Sequence, residues 1–143
     1  MNQSNNEFPK YIFFTYRIVL FFIAFYFFMM GIALILFPQV LTKSTGQQHA
    51  VILGMLRGAG GSILPYSLMY ILIAVKPFAC RWVAYIIAVA NTLAIILDFT
   101  SVFFGEYKLS NAMIGVPFEF LSLAAIIIFY SISNRKSILV PQK

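Results

Sequence analysis

The sequence predicts an all-α fold, a polytopic integral membrane protein formed by a bundle of four transmembrane helices. Hydrophobic residues make up 62% of the chain and charged residues only 10%, with a mean hydropathy of +0.91. A soluble domain of 143 residues has too small an interior to bury that much apolar surface. The apolar residues also fall into four long stretches, and they lack the alternation of period two that indicates strands.

These stretches define one membrane domain that covers residues 1–143, with short polar tails at 1–10 and 134–143. A helix needs about 20 predominantly apolar residues to cross a hydrocarbon layer of about 30 Å, and each stretch reaches that length. The four helices are expected at about 18–37, 51–75, 82–104 and 112–132.

The first helix is strongly aromatic and contains no charged residue. Its apolar run is too long and too aromatic for the core of a signal peptide, and no small-residue cleavage site follows it, so we expect it to stay as a membrane anchor. Bulky side chains all round this helix indicate contact with lipid or with a partner helix. The residues before it, Tyr11–Tyr16, are also compatible with an amphipathic start that lies in the headgroup region.

The second helix combines an arginine with several glycines. Gly54 and Gly58 have the G-x-x-x-G spacing at which helix backbones approach closely in membranes, and Gly61 continues this glycine stripe. Arg57 lies beside the stripe, so close packing of the second helix is expected to bring Arg57 towards neighbouring helices. Pro65 predicts a kink near the middle of the helix, because proline removes a backbone hydrogen bond.

The third and fourth helices carry the other polar residues of the membrane region. Asn91 and Asp98 are seven positions apart and therefore share one face of the third helix. Glu119 lies on a small and polar face of the fourth helix that also holds Ser122. Pro117 is interpreted as a proline tolerated in the first turns of a helix.

The basic residues of the short connections predict the orientation. With four spans, the N-terminal tail, the connection 76–81 and the C-terminal tail lie on one side and hold seven of the ten Lys and Arg residues, whereas the other side holds two. Because connections rich in Lys and Arg stay in the cytoplasm, both termini are predicted to be cytoplasmic. The expected location is a bacterial inner membrane.

This topology places three ionisable residues at one depth below the outer surface. Arg57 lies six positions inside the second helix, Asp98 six positions from the outer end of the third, and Glu119 seven positions inside the fourth. Six positions correspond to about 9 Å along a helix. A charge in hydrocarbon costs about 2.5 to 3.5 kcal/mol on insertion scales and normally faces a partner or a wet cavity. Together with Asn91, these residues are predicted to form a polar cluster.

Three interpretations of this cluster stay open. It forms a buried ion pair that sets how the second, third and fourth helices are arranged, or it is a ligand or ion site. In that site Arg57 would hold an anion, and Asp98 or Glu119 would hold a cation or a proton. In the third interpretation, the Arg57 side chain extends to the outer headgroups and meets neither acid.

Catalytic and metal sites are not indicated by the sequence. The chain has one histidine, His49, and one cysteine, Cys80, too few for a familiar metal cluster or for a haem held by two histidines. No nucleotide-binding or hydrolase motif is present, so an enzyme is the least favoured class. The ten basic residues are scattered, which argues against nucleic acid as a partner. The sequence identifies no cofactor.

Several segments are similar to a known group of small membrane proteins. The segment RIVLFF leads from Arg17 into the first helix, which ends with MMGIALILF, and the second helix contains RGAGG. With the overall length of the chain, these segments resemble the DoxX-like and related four-helix bacterial membrane proteins. Some members of that group are linked to quinone-coupled sulfur oxidation and others to larger membrane assemblies. The resemblance carries over no functional residue, because no diagnostic motif aligns.

Two functions are expected from these observations. The first is a non-catalytic accessory or assembly subunit of a larger membrane complex, held through the aromatic first helix and the glycine stripe. The small size and the lack of a catalytic set favour it. The alternative is a protein that binds or transports a small molecule, a quinone or an ion at the polar cluster. The expected partners are the lipid bilayer and either other membrane subunits or further copies of the chain.

Overall fold

A computed structural model describes residues 10–43, 49–106 and 108–138, and these residues form helices and no strand. Four of the helices are long and apolar enough to cross a membrane. The predicted all-α bundle of four spanning helices is therefore confirmed, and the composition of those helices indicates an integral membrane protein. The helices are α1 (Lys10–Leu36), α2 (Pro38–Thr42), α3 (Ala50–Val75), α4 (Arg81–Phe103), α5 (Leu109–Ala112) and α6 (Val116–Ile138).

Helix α1 begins at Lys10, about two turns before the expected start. Tyr11–Tyr16 therefore belong to the same continuous helix and do not form a separate interfacial element. The early start is possible because the charge of Arg17 has partners inside the bundle. Its guanidinium donates hydrogen bonds to the carbonyl oxygens of Ala74 at 2.9 Å and Val75 at 3.1 Å, at the C-terminal end of α3.

The fourth spanning helix, α6, begins later than predicted. The expected start near residue 112 falls in the short helix α5, and a turn separates α5 from Val116, the first residue of α6. Pro117 is the second residue of α6, a position where its missing amide hydrogen has no intrahelical partner to lose. The Gly115 carbonyl accepts a hydrogen bond from the amide of Glu119 at 3.2 Å. Glu119 therefore lies in the first turn of α6.

The four spanning helices run up and down as antiparallel neighbours. Helix α1 packs along α3, α4 packs along α6, and α1 also contacts α6, whereas α3 and α4 touch over a shorter length. We call the end that holds Lys10 and the connection 76–80 the basic end. The far end holds the short helices α2 and α5.

Two helix backbones approach each other closely at a glycine pair that the sequence analysis did not identify. A Cβ atom on Gly60 of α3 would lie 2.8 Å from the carbonyl oxygen of Gly31 on α1. The predicted packing role of Gly54, Gly58 and Gly61 inside the bundle is wrong, since a Cβ on any of them would meet no atom within 4 Å. Successive residues are about 100° apart round a helix, so a face centred on Gly60 leaves the glycine stripe outside.

The hydrophobic core occupies the half of the bundle nearer the basic end. At its centre the rings of Tyr16 and Phe129 are stacked with their centroids 4.0 Å apart. Its buried members lie between the basic end and the midpoint of each spanning helix. They are Tyr16, Leu20, Ile23, Ala24, Tyr70, Ile73, Ala74, Ala84, Ile87, Ile126, Phe129 and Tyr130.

Candidate functional site

A buried hydrogen-bond network joins three helices near the middle of the bundle. The Asn91 side-chain nitrogen on α4 donates to the Tyr70 hydroxyl of α3 at 2.7 Å and to the Ser122 hydroxyl of α6 at 2.8 Å. The Ser122 hydroxyl in turn donates to the Tyr70 hydroxyl at 2.9 Å. All three residues are buried. In lipid an unsatisfied polar group is costly, so this network fixes α3, α4 and α6 relative to one another.

A cavity of about 230 Å³ begins at this network and extends towards the far end. All four spanning helices contribute to its walls. One water occupies about 30 Å³ in the liquid, so the cavity has room for several waters or for one small organic molecule. The lining residues are Phe27, Ser62, Ile63, Tyr66, Ala90, Asn91, Ala94 and Glu119.

Glu119 is the one charged side chain among these lining residues. Its Oε2 atom is buried, and no hydrogen-bond donor of the described chain reaches it. The position in the first turn of α6 favours a negative charge, because a helix N-terminus carries partial positive charge. The carboxyl group of Asp98 on α4 lies near enough to act electrostatically on Glu119 with a like charge. The cavity thus contains an acceptor that the protein leaves without a donor.

Two other polar groups of the cavity, on Ser62 and Asn91, already use their donors. The Ser62 hydroxyl donates to the carbonyl oxygen of Gly58 at 3.2 Å, one turn back on α3. The Asn91 amide nitrogen is engaged by the network at the base of the cavity. Neither residue can therefore supply a proton to Glu119 without breaking a bond it already has. The Tyr66 hydroxyl also lines the cavity but makes no bond to Glu119 Oε2. A molecule inside the cavity is therefore one source of a donor for Glu119.

Two aromatic rings form part of the cavity wall, and both pack against the ring of Tyr70. Phe27 of α1 is stacked on Tyr70 with centroids 5.5 Å apart and ring planes only 4° from parallel. Tyr66, one turn before Tyr70 on α3, packs against the same ring with centroids 6.4 Å apart. Both Phe27 and Tyr66 line the cavity. The wall is thus preorganised, because each ring is fixed by a residue of the buried network.

The structure brings three of the four predicted cluster residues together and leaves one apart. Asn91 is buried, Asp98 and Glu119 are half-buried, and Glu119 lines the cavity with Asn91. Arg57 is exposed and does not line the cavity. It lies about 180° round α3 from Tyr66 at 100° per residue, so it cannot stand between the two acids as predicted.

The sequence analysis missed the part of the site contributed by α1 and α3. Ser62, Tyr66 and Tyr70 are spaced at intervals of four, which places three hydroxyl groups along one face of α3. That regular spacing was a signal available in the sequence. Phe27 offered no such signal, because it is one of many phenylalanines on α1.

Residues of the metal-binding type do not gather elsewhere in the described chain. His49 is exposed at the start of α3, and Cys80 is half-buried at the start of α4. Within residues 10–43, 49–106 and 108–138, no group of three or more His, Cys, Asp and Glu side chains is placed to hold a metal ion.

The fold and the cavity define a class, the small polytopic membrane proteins in which four helices line a mainly apolar cavity that contains one acidic side chain. No family model, curated protein or solved structure matches this chain. The similarity to the DoxX-like proteins therefore stays a prediction.

Proposed function

We propose that this protein binds a small molecule or ion in the cavity at Glu119, with the carboxylate accepting a hydrogen bond or balancing a positive charge. The observation that carries the proposal is the buried Glu119 Oε2 atom without a donor in the described chain. Burial of a carboxylate oxygen is unfavourable unless something compensates it. A bound molecule that brings a donor into the cavity would provide that compensation.

The proposal retains the binding alternative of the sequence analysis but assigns it to different residues. Arg57 is removed from the site, while Phe27, Ser62 and Tyr66 are added to Asn91 and Glu119. Intramembrane ionisable residues commonly mark a ligand or ion pathway, which supports this assignment. Asp98 contributes a second negative charge nearby.

We also propose that both termini face the cytoplasm of a bacterium and that the cavity lies in the outer half of its inner membrane. The support is the distribution of basic residues, since Lys10, Arg17, Lys76 and Arg81 all lie at the basic end. The ligand would then enter from the outer side or from the outer leaflet.

Native mass spectrometry of the protein released from lipid nanodiscs tests the proposal. The wild type is expected to retain a small-molecule adduct, and Glu119→Gln is expected to lose it. Glu106→Gln is the matched control, because Glu106 is an exposed acid at the far end. Equal retention by wild type and Glu119→Gln would contradict the assignment of the site to Glu119. A wild type without any adduct, even after incubation with candidate ligands, would contradict the binding function.

A second function, as an accessory subunit of a membrane complex, is favoured by the outward face of α3. Gly54, Gly58 and Gly61 have open space where a side chain would be, and Arg57 is exposed beside them. Small residues let a neighbouring helix approach closely in lipid, where apolar surface alone gives little drive to associate. This face is therefore available to another subunit or to a second copy.

Gentle extraction at native expression level followed by native mass spectrometry tests the accessory role. The wild type is expected at a fixed stoichiometry with other chains or with copies of itself, and Gly58→Leu is expected to release monomer. Ala59→Leu adds the same side chain at an exposed neighbouring position and is the control. Recovery of wild type and Gly58→Leu as the same monomer would exclude the α3 face as an assembly surface.

A further inference from the structure

We propose that the cavity selects small monovalent organic cations, with the positive group against Glu119 and the apolar part against the aromatic wall. This inference rests on the proposed binding function and specifies its ligand class. Three features of the cavity support this ligand class: the sign of its charge, the small number of its oxygen ligands and the aromatic rings in its wall.

The sign of the charge excludes anions. Among the described residues that line the cavity, Glu119 is the one with a charge, and Asp98 adds a like charge that acts on it. Arg57 lies on the other side of α3 and contributes no positive charge to the walls. An anionic ligand would meet a buried negative charge in a medium where charge repulsion is weakly screened.

The oxygen ligands are too few for a small inorganic cation. Calcium takes six to eight oxygen ligands, and magnesium keeps a near-ideal octahedral shell. The lining side chains that carry oxygen are Glu119, Asn91, Ser62 and Tyr66, which is fewer than these ions require. The other walls include the apolar side chains of Ile63 and Ala94. A cation that carries its own apolar groups needs less coordination and gains contact with those walls.

The rings complete the fit. Phe27 and Tyr66 line the same cavity as Glu119, and both are held against Tyr70. Aromatic faces attract cations within about 6 Å, more strongly when the pair is removed from water. An ammonium group at Glu119 would therefore have a carboxylate and an aromatic wall within one small cavity.

Binding measurements on the full chain in nanodiscs test this proposal with a matched set of probes. Benzylammonium is the cation, benzyl alcohol is the neutral molecule of similar shape, benzoate is the anion, and sodium is the inorganic cation. The wild type is expected to bind benzylammonium more tightly than the other three. Glu119→Gln is expected to lower the affinity for benzylammonium about 30-fold or more, because it removes one partner of a buried charge pair. Phe27→Leu is expected to lower the same affinity about threefold, because the cation–aromatic contact is lost.

Two further variants keep the test decisive if Glu119→Gln fails to fold. Ala94→Leu fills the cavity without touching the carboxylate and is expected to lower benzylammonium affinity. Glu106→Gln is expected to leave it unchanged, since Glu106 is exposed and does not line the cavity.

The outcomes separate this inference from the proposed function. Benzyl alcohol, benzoate or sodium binding as tightly as benzylammonium, with loss in Ala94→Leu, would overturn the ligand class and leave the binding function standing. Absence of any adduct or probe binding to wild type would overturn both.

Discussion

The two halves of the bundle differ in how their charged side chains are hydrogen-bonded. In the half near the basic end, Arg17 donates to two carbonyl oxygens at the end of α3, and the Arg81 guanidinium donates to Asn134 Oδ1 at 2.9 Å. The Tyr130 hydroxyl donates to the Pro77 carbonyl at 2.6 Å. The Tyr16 hydroxyl is a buried exception that has no partner in the described chain, but it is neutral.

In the half near the far end, two of the charged groups are not held by such bonds within the described residues. Glu119 has a buried oxygen that no described donor reaches, Arg57 is exposed, and the glycine stripe faces open space. The comparison teaches that the half near the basic end bonds Arg17 and Arg81 with its own oxygens, while the far half leaves the Glu119 Oε2 atom without a donor in the described chain. We expect stability to depend mainly on the first half and binding on the second.

The largest effect on stability is expected when a core side chain is removed in the half near the basic end. Phe129→Ala removes a fully buried ring that stacks on Tyr16, and should lower the free energy of unfolding by about 3 to 5 kcal/mol. Ile127→Ala, at an exposed position of α6, should change it by much less. Unfolding in mixed detergent micelles measures both. Similar losses for the two variants would show that the core does not carry the stability of this half.

The next largest effect on stability is expected from a substitution at one of two adjacent glycines of α3. Gly60→Ala should destabilise the protein by about 1 to 3 kcal/mol, because the new Cβ would lie 2.8 Å from the Gly31 carbonyl oxygen. Gly61→Ala should be neutral or slightly stabilising, since its Cβ meets nothing within 4 Å and alanine favours helices. Thermal unfolding in nanodiscs measures the difference. The reverse order would mean that the outward face of α3 is the packed one.

A smaller loss is expected at the boundary between the halves. Asn91→Ala removes two hydrogen bonds to Tyr70 and Ser122 and should cost about 1 to 2 kcal/mol. Thr92→Ala is the control, because Thr92 is exposed and bonds only within its own helix. Equal stability of the two variants would argue that the network does not hold α3, α4 and α6 together.

The smallest effect on stability is expected at the candidate site itself. Glu119→Gln should leave the ligand-free protein as stable as wild type, or more stable by less than about 1 kcal/mol, because it removes an unpaired buried charge. Arg17→Met, in the half near the basic end, should be destabilising because it removes two hydrogen bonds to carbonyl oxygens of α3. Parallel melts without ligand test this contrast. A strongly destabilised Glu119→Gln would indicate a structural role for the carboxylate.

The sequence by itself determined the four spans and the inward position of Asn91. Hydropathy is a local property, so a stretch of about 20 apolar residues predicts a span whatever its neighbours are. The ends of the spans were less predictable. Helix α1 begins at Lys10 and includes Arg17, whose charge has carbonyl acceptors on α3, and α6 begins at Val116 beyond the turn at Gly115. The kink at Pro65 and the cytoplasmic position of the termini stay predictions.

Only the tertiary structure decided which side of α3 faces inwards. Gly54, Gly58 and Gly61 looked suited to packing, yet α3 presents Gly60 to α1 and turns Arg57 outwards. In lipid both orientations bury apolar surface, so hydropathy does not distinguish them. The choice was made by contacts between helices, and the same rotation brought Tyr66 to the cavity at Glu119.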